Sequence, residues 1–444
     1  VSTQAGATAG DGTGRRGRSA ARTRKAAALL TAAAAVGTLT ALPAWAAEEA
    51  PLPAYAFDPS GQRIQGAASS ADAVALEPGK TYRDTLRKDG KVYYRLNLDT
   101  TKNSYVSAVA VPKPGGKAEY GDGFRITIQD GSGSDCGYQE VNFATGDHVR
   151  PLTGYARRIV HPDENYCQDA GTYYVLVERE SDATSTPDDW ELELQHVTEP
   201  LLRKIGPDKL PESWPSGTPA PPVGKPEVRE GGAGFHTAVS LKEGEWRANI
   251  RPGQTLFWRV PVDWGQQIFA TAELGSSNAG DELVSNALAL GLDNPARGFV
   301  DLQTASYNGK QTTVALVPRR PVAHDNRSSF ETATSAMGLA GWYYLTATLS
   351  PEIAEEYGDT ALPLILRVNV GGEKKPAPDY DADPGIFQVT DGDRAAAASG
   401  ASGAAAADGN TLMVALAAGG IGLGTVLLVG LGAWTLLARR TARS

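Results

Sequence analysis

The sequence runs to 444 residues, 41% hydrophobic and 21% charged, a profile that excludes both a polytopic membrane protein and a wholly disordered chain. Fifty glycines and 28 prolines against two methionines favour short strands and turns over long helices. The net charge of −9 is unevenly spread. Residues 1–46 hold six basic side chains and one acid, and residues 411–444 three basic and none acidic, so the stretch between carries −17. A surface that acidic repels phosphate backbones and excludes nucleic acid as a partner.

Arg15, Arg16, Arg18, Arg22, Arg24 and Lys25 precede a charge-free apolar run from Ala26 to Leu42, and Ala44-Trp45-Ala46 supplies a small-x-small cleavage pattern. Residues 1–46 therefore read as a secretory signal, with the mature chain beginning at Ala47; a retained anchor is the alternative. Arg15-Arg16 hints at twin-arginine export, but the residues that normally follow such a pair are missing, so the general secretory route is expected. Residues 47–69 form a mature N-terminal segment.

A first domain is expected over 70–197. Val92, Tyr94, Leu96 and Leu98 fall on one face at period two, with Tyr93, Arg95 and Asn97 opposite, the pattern of a half-buried antiparallel strand. Tyr173, Val175 and Val177, then Trp190, Leu192 and Leu194, repeat the alternation. The two cysteines of the chain, Cys136 and Cys167, both lie here, and export favours a disulfide between them. Two free thiols or half of a metal site are the alternatives, and no Cys-x-x-Cys or His-x-Cys spacing supports metal. Asp130-Gly131-Ser132-Gly133-Ser134-Asp135 offers oxygens that could meet Ca²⁺, but a β-turn closed by Cys136 explains it as well.

Residues 198–233 carry eight prolines between Pro200 and Pro226 and read as a semi-rigid polyproline spacer. Residues 234–371 then repeat the first domain. Thr255-Leu256-Phe257-Trp258-Arg259-Val260-Pro261-Val262 answers Lys91 to Leu98 at an offset of 164, and Ile268 to Ala272 answers Ser104 to Ala108 without a gap. Ala340-Gly341-Trp342-Tyr343-Tyr344 answers Ala170-Gly171-Thr172-Tyr173-Tyr174. Repetition at a domain-sized period means two copies of one fold. Pro261 cannot donate to a ladder, so its strand is expected at an edge or bulged. Tyr93, Phe257 and Trp342 fall opposite the core sets, as packed residues or as a stacking platform.

Residues 372–410, rich in Ala, Gly, Pro and acids, are expected to be a flexible linker. Residues 411–438 contain no charge and are long enough as a helix to cross the ~30 Å hydrocarbon core. Arg439, Arg440 and Arg443 follow, which puts residues 439–444 in the cytoplasm and the ectodomain outside. Gly420 and Gly424 have the small-xxx-small spacing of helix–helix contacts. The fold class expected is all-β: two jelly-roll-like β-sandwich domains plus one C-terminal transmembrane helix.

An aromatic strand after a glycine turn, a middle strand Phe124-Arg125-Ile126-Thr127-Ile128-Gln129, the Ala-Gly-Thr-Tyr-Tyr-Val run from Ala170 and a closing strand resemble the bacterial pre-peptidase C-terminal domain. The resemblance covers residues 70–197 well and 236–371 less well, since Ser276 to Met337 lack the corresponding signature. It implies a compact sandwich appended to secreted or surface proteins, with no active site of its own.

No catalytic constellation is visible. His148, His161, His196, His236 and His324 have no second histidine at metal spacing, and Gly131-Ser132-Gly133 is not a nucleophile elbow. No catalytic residue, metal or cofactor is therefore expected, and no ligand-binding residue can be named. The expectation is a non-enzymatic, single-pass surface protein of the cell membrane that binds another envelope protein or wall glycan. A hydrolase assembled only in three dimensions, or an accessory subunit of an export or signalling complex, is the alternative.

Overall fold

The computed structural model describes residues 54–143, 148–162, 164–204, 213–220, 222 and 224–405. The expected signal (1–46), membrane helix (411–438, with Gly420 and Gly424) and tail lie outside these residues. Among the described residues no helix is long and apolar enough to cross a membrane.

The described residues belong to one compact unit holding two β-sandwiches. The first is built from β1 (Gln62–Arg63), β2 (Val74–Ala75), β3 (Lys80–Leu86), β4 (Lys91–Leu98), β5 (Lys102–Val111), β6 (Gly123–Gln129), β7 (Asp135–Asn142), β8 (Leu152–Arg158), β9 (Gly171–Glu180) and β10 (Trp190–Pro200). The second follows as β11 (Glu227–Val228), β12 (Val239–Ser240), β13 (Gly244–Ile250), β14 (Thr255–Val262), β15 (Gln267–Leu274), β16 (Val284–Asp293), β17 (Phe299–Tyr307), β18 (Thr312–Ala315), β19 (Gly341–Leu349) and β20 (Leu362–Gly371). The sheet orders are β1-β3-β10-β5-β8 with β2-β4-β9-β6-β7, and β11-β13-β20-β15-β18 with β12-β14-β19-β16-β17. Adding ten to every strand of the first copy reproduces the second, so the duplication read from sequence extends to topology.

Register confirms it. Tyr82 and Trp246 take equivalent pairings with the short parallel strands β1 and β11, and Tyr94 and Trp258 do so with β2 and β12. Tyr173 and Tyr343 open β9 and β19 opposite Leu96 and Val260. Each hydroxyl donates to the carbonyl four residues upstream, Asp169 at 2.7 Å and Leu339 at 2.8 Å, the same corner made twice.

The alternation in β4 holds: Tyr94, Leu96 and Leu98 are buried, while Arg95 and Asn97 are exposed. Pro261 lies beyond the short β12, which pairs only at Trp258 and Arg259, so its missing N–H faces an open edge. Ser276 to Met337, which show no repeat signature, supply β16, β17 and β18 in the positions of β6, β7 and β8. The strands differ in length, β16 having ten residues against seven in β6 and β18 four against seven in β8, but their order is kept.

Three expectations about segment boundaries need correction. The segment expected over 47–69 is part of the first sandwich over its described residues, 54–69, which contribute β1. The spacer expected over 198–233 begins inside β10, which pairs with β5 through Pro200, and ends with β11. Residues 372–405 are not free. Tyr380 is 7% exposed, Phe387 is fully buried, and a helix α3 (Asp391–Ser399) follows α1 (Thr332–Ala336) and α2 (Ile353–Tyr357). Thr390 and Asp393 form a capping box on α3, and Gly400 ends it in the left-handed conformation. Trp342 Nε1 donates to Asp393 Oδ1 (2.8 Å), and Arg394 meets Asp263 (2.7 Å). A composition that looks like linker is strapped down by two aromatics and a charge.

Candidate functional site

In β10, Leu192 and Leu194 face the core while Glu191, Glu193, Val197 and Glu199 point to the other side of the sheet. A free sandwich would give that side to water. Here it is covered by the second copy, and Glu193 and Glu199 have no exposed surface. Glu193 is met by Arg297 (2.7 Å), the Tyr55 hydroxyl (3.0 Å) and the Asp58 amide (2.8 Å). Glu199 is met by both terminal nitrogens of Arg327 (2.8 and 2.9 Å), by Asn103 Nδ2 (2.9 Å), and by the hydroxyls of Tyr105 (2.8 Å) and Tyr380 (2.7 Å). Despite burial, the guanidinium and these donors hold the Glu199 carboxylate down to about 2.

Apolar side chains seal the seam around each pair. Tyr55, Val109, Val111, Phe235, Ala238 and Phe257 form one cluster, and Tyr105, Tyr155, Val197, Ala296, Leu339 and Phe387 the other. The first sheet of copy one thus meets the second sheet of copy two, a head-to-tail contact between unlike faces. Both arginines come from the segment without repeat signature: Arg297 from the β16–β17 loop and Arg327 from the 3₁₀ turn His324–Ser328. Phe257 is 1% exposed in the seam, and Trp342 lies under Arg259 at 4.1 Å. The stacking platform of Tyr93, Phe257 and Trp342 does not form.

The disulfide forms between Cys136 and Cys167, with Cα atoms 5.7 Å apart. It ties β7 to the β8–β9 loop, and Tyr138 and Tyr166 sit beside its two ends. Arg158 fixes the same loop from beneath by donating to the carbonyls of Asp99, Cys167 and Gln168 at 2.7–2.9 Å. A groove of about 800 Å³ opens between this edge and the second sandwich, where Phe330 precedes α1. Tyr138 (59%), Tyr166 (56%) and Phe330 (107%) are among the most exposed aromatics of the described residues, and all three line it. Arg157, Gln168 and Glu164 supply polar groups along the walls. Arg157 also bridges the seam, donating to the Arg327 carbonyl at 3.0 Å.

The remaining candidates from sequence are scattered. Asp130 accepts from the Ser132 amide (2.8 Å), the Ser132 hydroxyl (2.6 Å) and the Ser134 amide (2.9 Å), so its loop is a self-capped turn. His161 and His324 line the groove from opposite walls, whereas His236 stands 3.7 Å from Asp58. His196 donates from Nδ1 to the Leu76 carbonyl (3.0 Å), which leaves Nε2 to accept from the Ser104 hydroxyl (2.9 Å). Both side chains are 1% exposed and the third partner is a carbonyl, so the pair is a buried fastener. The groove aromatics were missed from sequence, although the adjacency of Tyr138 and Tyr166 to the cysteines was a usable signal.

No family model matches the sequence, and no curated protein matches it. Among solved structures, the chain is similar to the pre-peptidase C-terminal domain of a collagenase from Bacillus anthracis (20% identity, covering 28% of this chain and 94% of that one, TM-score 0.17). It is also similar to the ANX1 ectodomain from Arabidopsis thaliana (10% identity, 70% and 92%, TM-score 0.19). A third likeness is to a chain in the crystal structure of the plant peptide RALF23 in complex with FER and LLG2 (8% identity, 72% and 97%, TM-score 0.20). Scores this low carry no weight here. The β-sandwich assignment rests on the strand order itself.

Proposed function

We propose that the chain is a non-enzymatic binding protein of the cell surface, anchored by residues 411–438, whose two sandwiches of pre-peptidase C-terminal type act as one rigid unit. Its recognition surface is the groove at the seam, and its ligand is wall glycan. The observation that carries this reading is the convergence of Tyr138, Tyr166 and Phe330, all solvent-exposed, on a groove whose walls are fixed by a disulfide and a buried ion pair. Aromatic faces accept the C–H face of a sugar ring, and the flanking amide, guanidinium and carboxylate groups match its hydroxyls. Because the walls are already held in place, little ordering entropy opposes binding. The net charge between the signal and the membrane segment favours a neutral or basic polymer over an anionic one.

The test is retention of the purified full chain on insoluble wall glycan. Tyr166→Ala and Phe330→Ala are expected to weaken it about tenfold each, as loss of a stacking aromatic does. Retention unchanged in the double variant would overturn the reading.

A further inference from the structure

The seam also encloses a second, smaller cleft of about 260 Å³, away from the exposed aromatics. The first sandwich contributes Glu140, which is exposed, and Arg150 and Thr153 to its walls, and the second Thr255, Asp293, Asp301 and Thr348. Two of these side chains are buried without an ion-pair partner among the described residues. Arg150 is 8% exposed, yet among the described residues its guanidinium makes one hydrogen bond, Nη2 to the Phe143 carbonyl (2.9 Å), and has no carboxylate within ion-pair distance. Its neighbour His148 is kept neutral by burial and by the guanidinium itself, with its pKa lowered to about 4. Asp293 is 5% exposed and makes no side-chain hydrogen bond among the described residues. The positive charge of Arg297 favours the ionised Asp293 carboxylate, but its hydrogen bond goes to Glu193 (2.7 Å).

Asp301 shows what a satisfied carboxylate in this cleft looks like. It accepts from Arg319 (2.8 Å), Gln303 (2.9 Å) and the Val317 amide (2.9 Å). Burying an unpaired cation on one wall and an unpaired acid on the other is costly, and folds tolerate it chiefly where a ligand completes the pairing. A monovalent ligand would leave one wall uncompensated. The volume lies below the about 300–1,000 Å³ of drug-sized sites, which suits a molecule of few heavy atoms and excludes a polymer.

We propose that this cleft binds a small zwitterion of the amino-acid class, its carboxylate held by Arg150 and its ammonium by Asp293. Desolvation pushes the Asp293 carboxyl well above its usual range in the empty cleft, and an ammonium group would restore the charged form. The site is independent of the glycan groove.

The purified full chain is titrated calorimetrically with each of the twenty amino acids, and with the N-acetyl and carboxamide forms of any that bind. At least one free amino acid is expected to bind and to raise the melting temperature, and blocking either end should weaken binding about tenfold or more. Asp293→Asn should bind the N-acetyl form as well as the free amino acid, and Arg150→Gln should likewise cease to distinguish carboxamide from carboxylate. No binding by any amino acid up to about 10 mM, or equal binding of blocked and free forms by the unmodified chain, would overturn the proposal. The blocked-ligand arm needs no variant and so survives if either substitution fails to fold.

Discussion

Glu199 on β10 and Arg327 in the second sandwich, 128 residues apart, meet through two parallel hydrogen bonds of 2.8 and 2.9 Å with no exposed surface on the carboxylate. Fork-to-fork geometry of this kind fixes orientation as well as distance. With the Arg297–Glu193 pair it sets two points of the seam, and the clusters around Phe257 and Phe387 fill the rest.

Arg327→Met should be severely destabilising. It leaves Glu199 buried with three neutral donors and no counter-charge, a loss of about 3–5 kcal/mol. Because the pair joins the sandwiches, the seam should fail before either core. Denaturant unfolding of the full chain, single-step in the unmodified protein, is expected to split into two transitions.

Gly298 offers a separate test of the seam. A Cβ at this position would lie 2.5 Å from the Tyr155 ring, which is itself 5% exposed and has nowhere to go. Gly298→Ala should cost about 1–3 kcal/mol by overpacking, read as a lower unfolding midpoint. It alters no charge and touches neither ion pair.

Loss of the disulfide should act on stability and on the groove together. Cys136 and Cys167 close a loop of sequence separation 31, for which the chain-entropy argument gives about 3–4 kcal/mol. The double serine variant is therefore expected to unfold at lower denaturant. It should also weaken glycan retention, because Tyr138 and Tyr166 lose their common tether.

Acid should destabilise the protein in two stages. Burial holds His148 and His196 down to about 4, below the usual 6.5, so the folded chain keeps them neutral while the unfolded chain takes up protons. Their contribution is complete above about pH 6.5 and is lost as the pH falls toward 4. Glu199, held at about 2 against an ordinary 4.5, then loses its contribution as the pH falls from about 4.5 toward 2. Asp293 runs the other way: its carboxyl is raised, so its cost grows as the pH rises. Asp293→Asn should gain melting temperature over the unmodified chain at pH 8 more than at pH 4.

Strand alternation, the disulfide and the duplication were legible because each is a local pattern with one physical cause. The seam was not, for the opposite reason. Glu191, Glu193 and Glu199 on β10 carry the alternating acids of a solvent face, and only the arginines of a distant segment make two of them interior. Those arginines, Arg297 and Arg327, lie where the repeat signature fades, so comparison of the two halves passed over them. One local signal was available. Leu256-Phe257-Trp258 puts apolar groups on both faces of β14, which a strand with one wet face does not need. The groove inherits this opacity, since Phe330 meets the two tyrosines only once the sandwiches have docked. Tyr380 and Phe387 were obscured by the prolines, acids and alanines around them.

The strap over residues 372–405 changes how a mechanical load would pass through the molecule. Tension drawn along the backbone from Ala405 would first load the backbone hydrogen bonds that tie Ala401 and Gly403 to Ser240 and Ala238, then the contact of α3 with Asp263, then the packing of Phe387 against Tyr105, and then the hydrogen bond of Tyr380 to Glu199. Phe387 and Tyr380 each touch both sandwiches, so a pull on this segment is delivered to the joint as well as to the second fold.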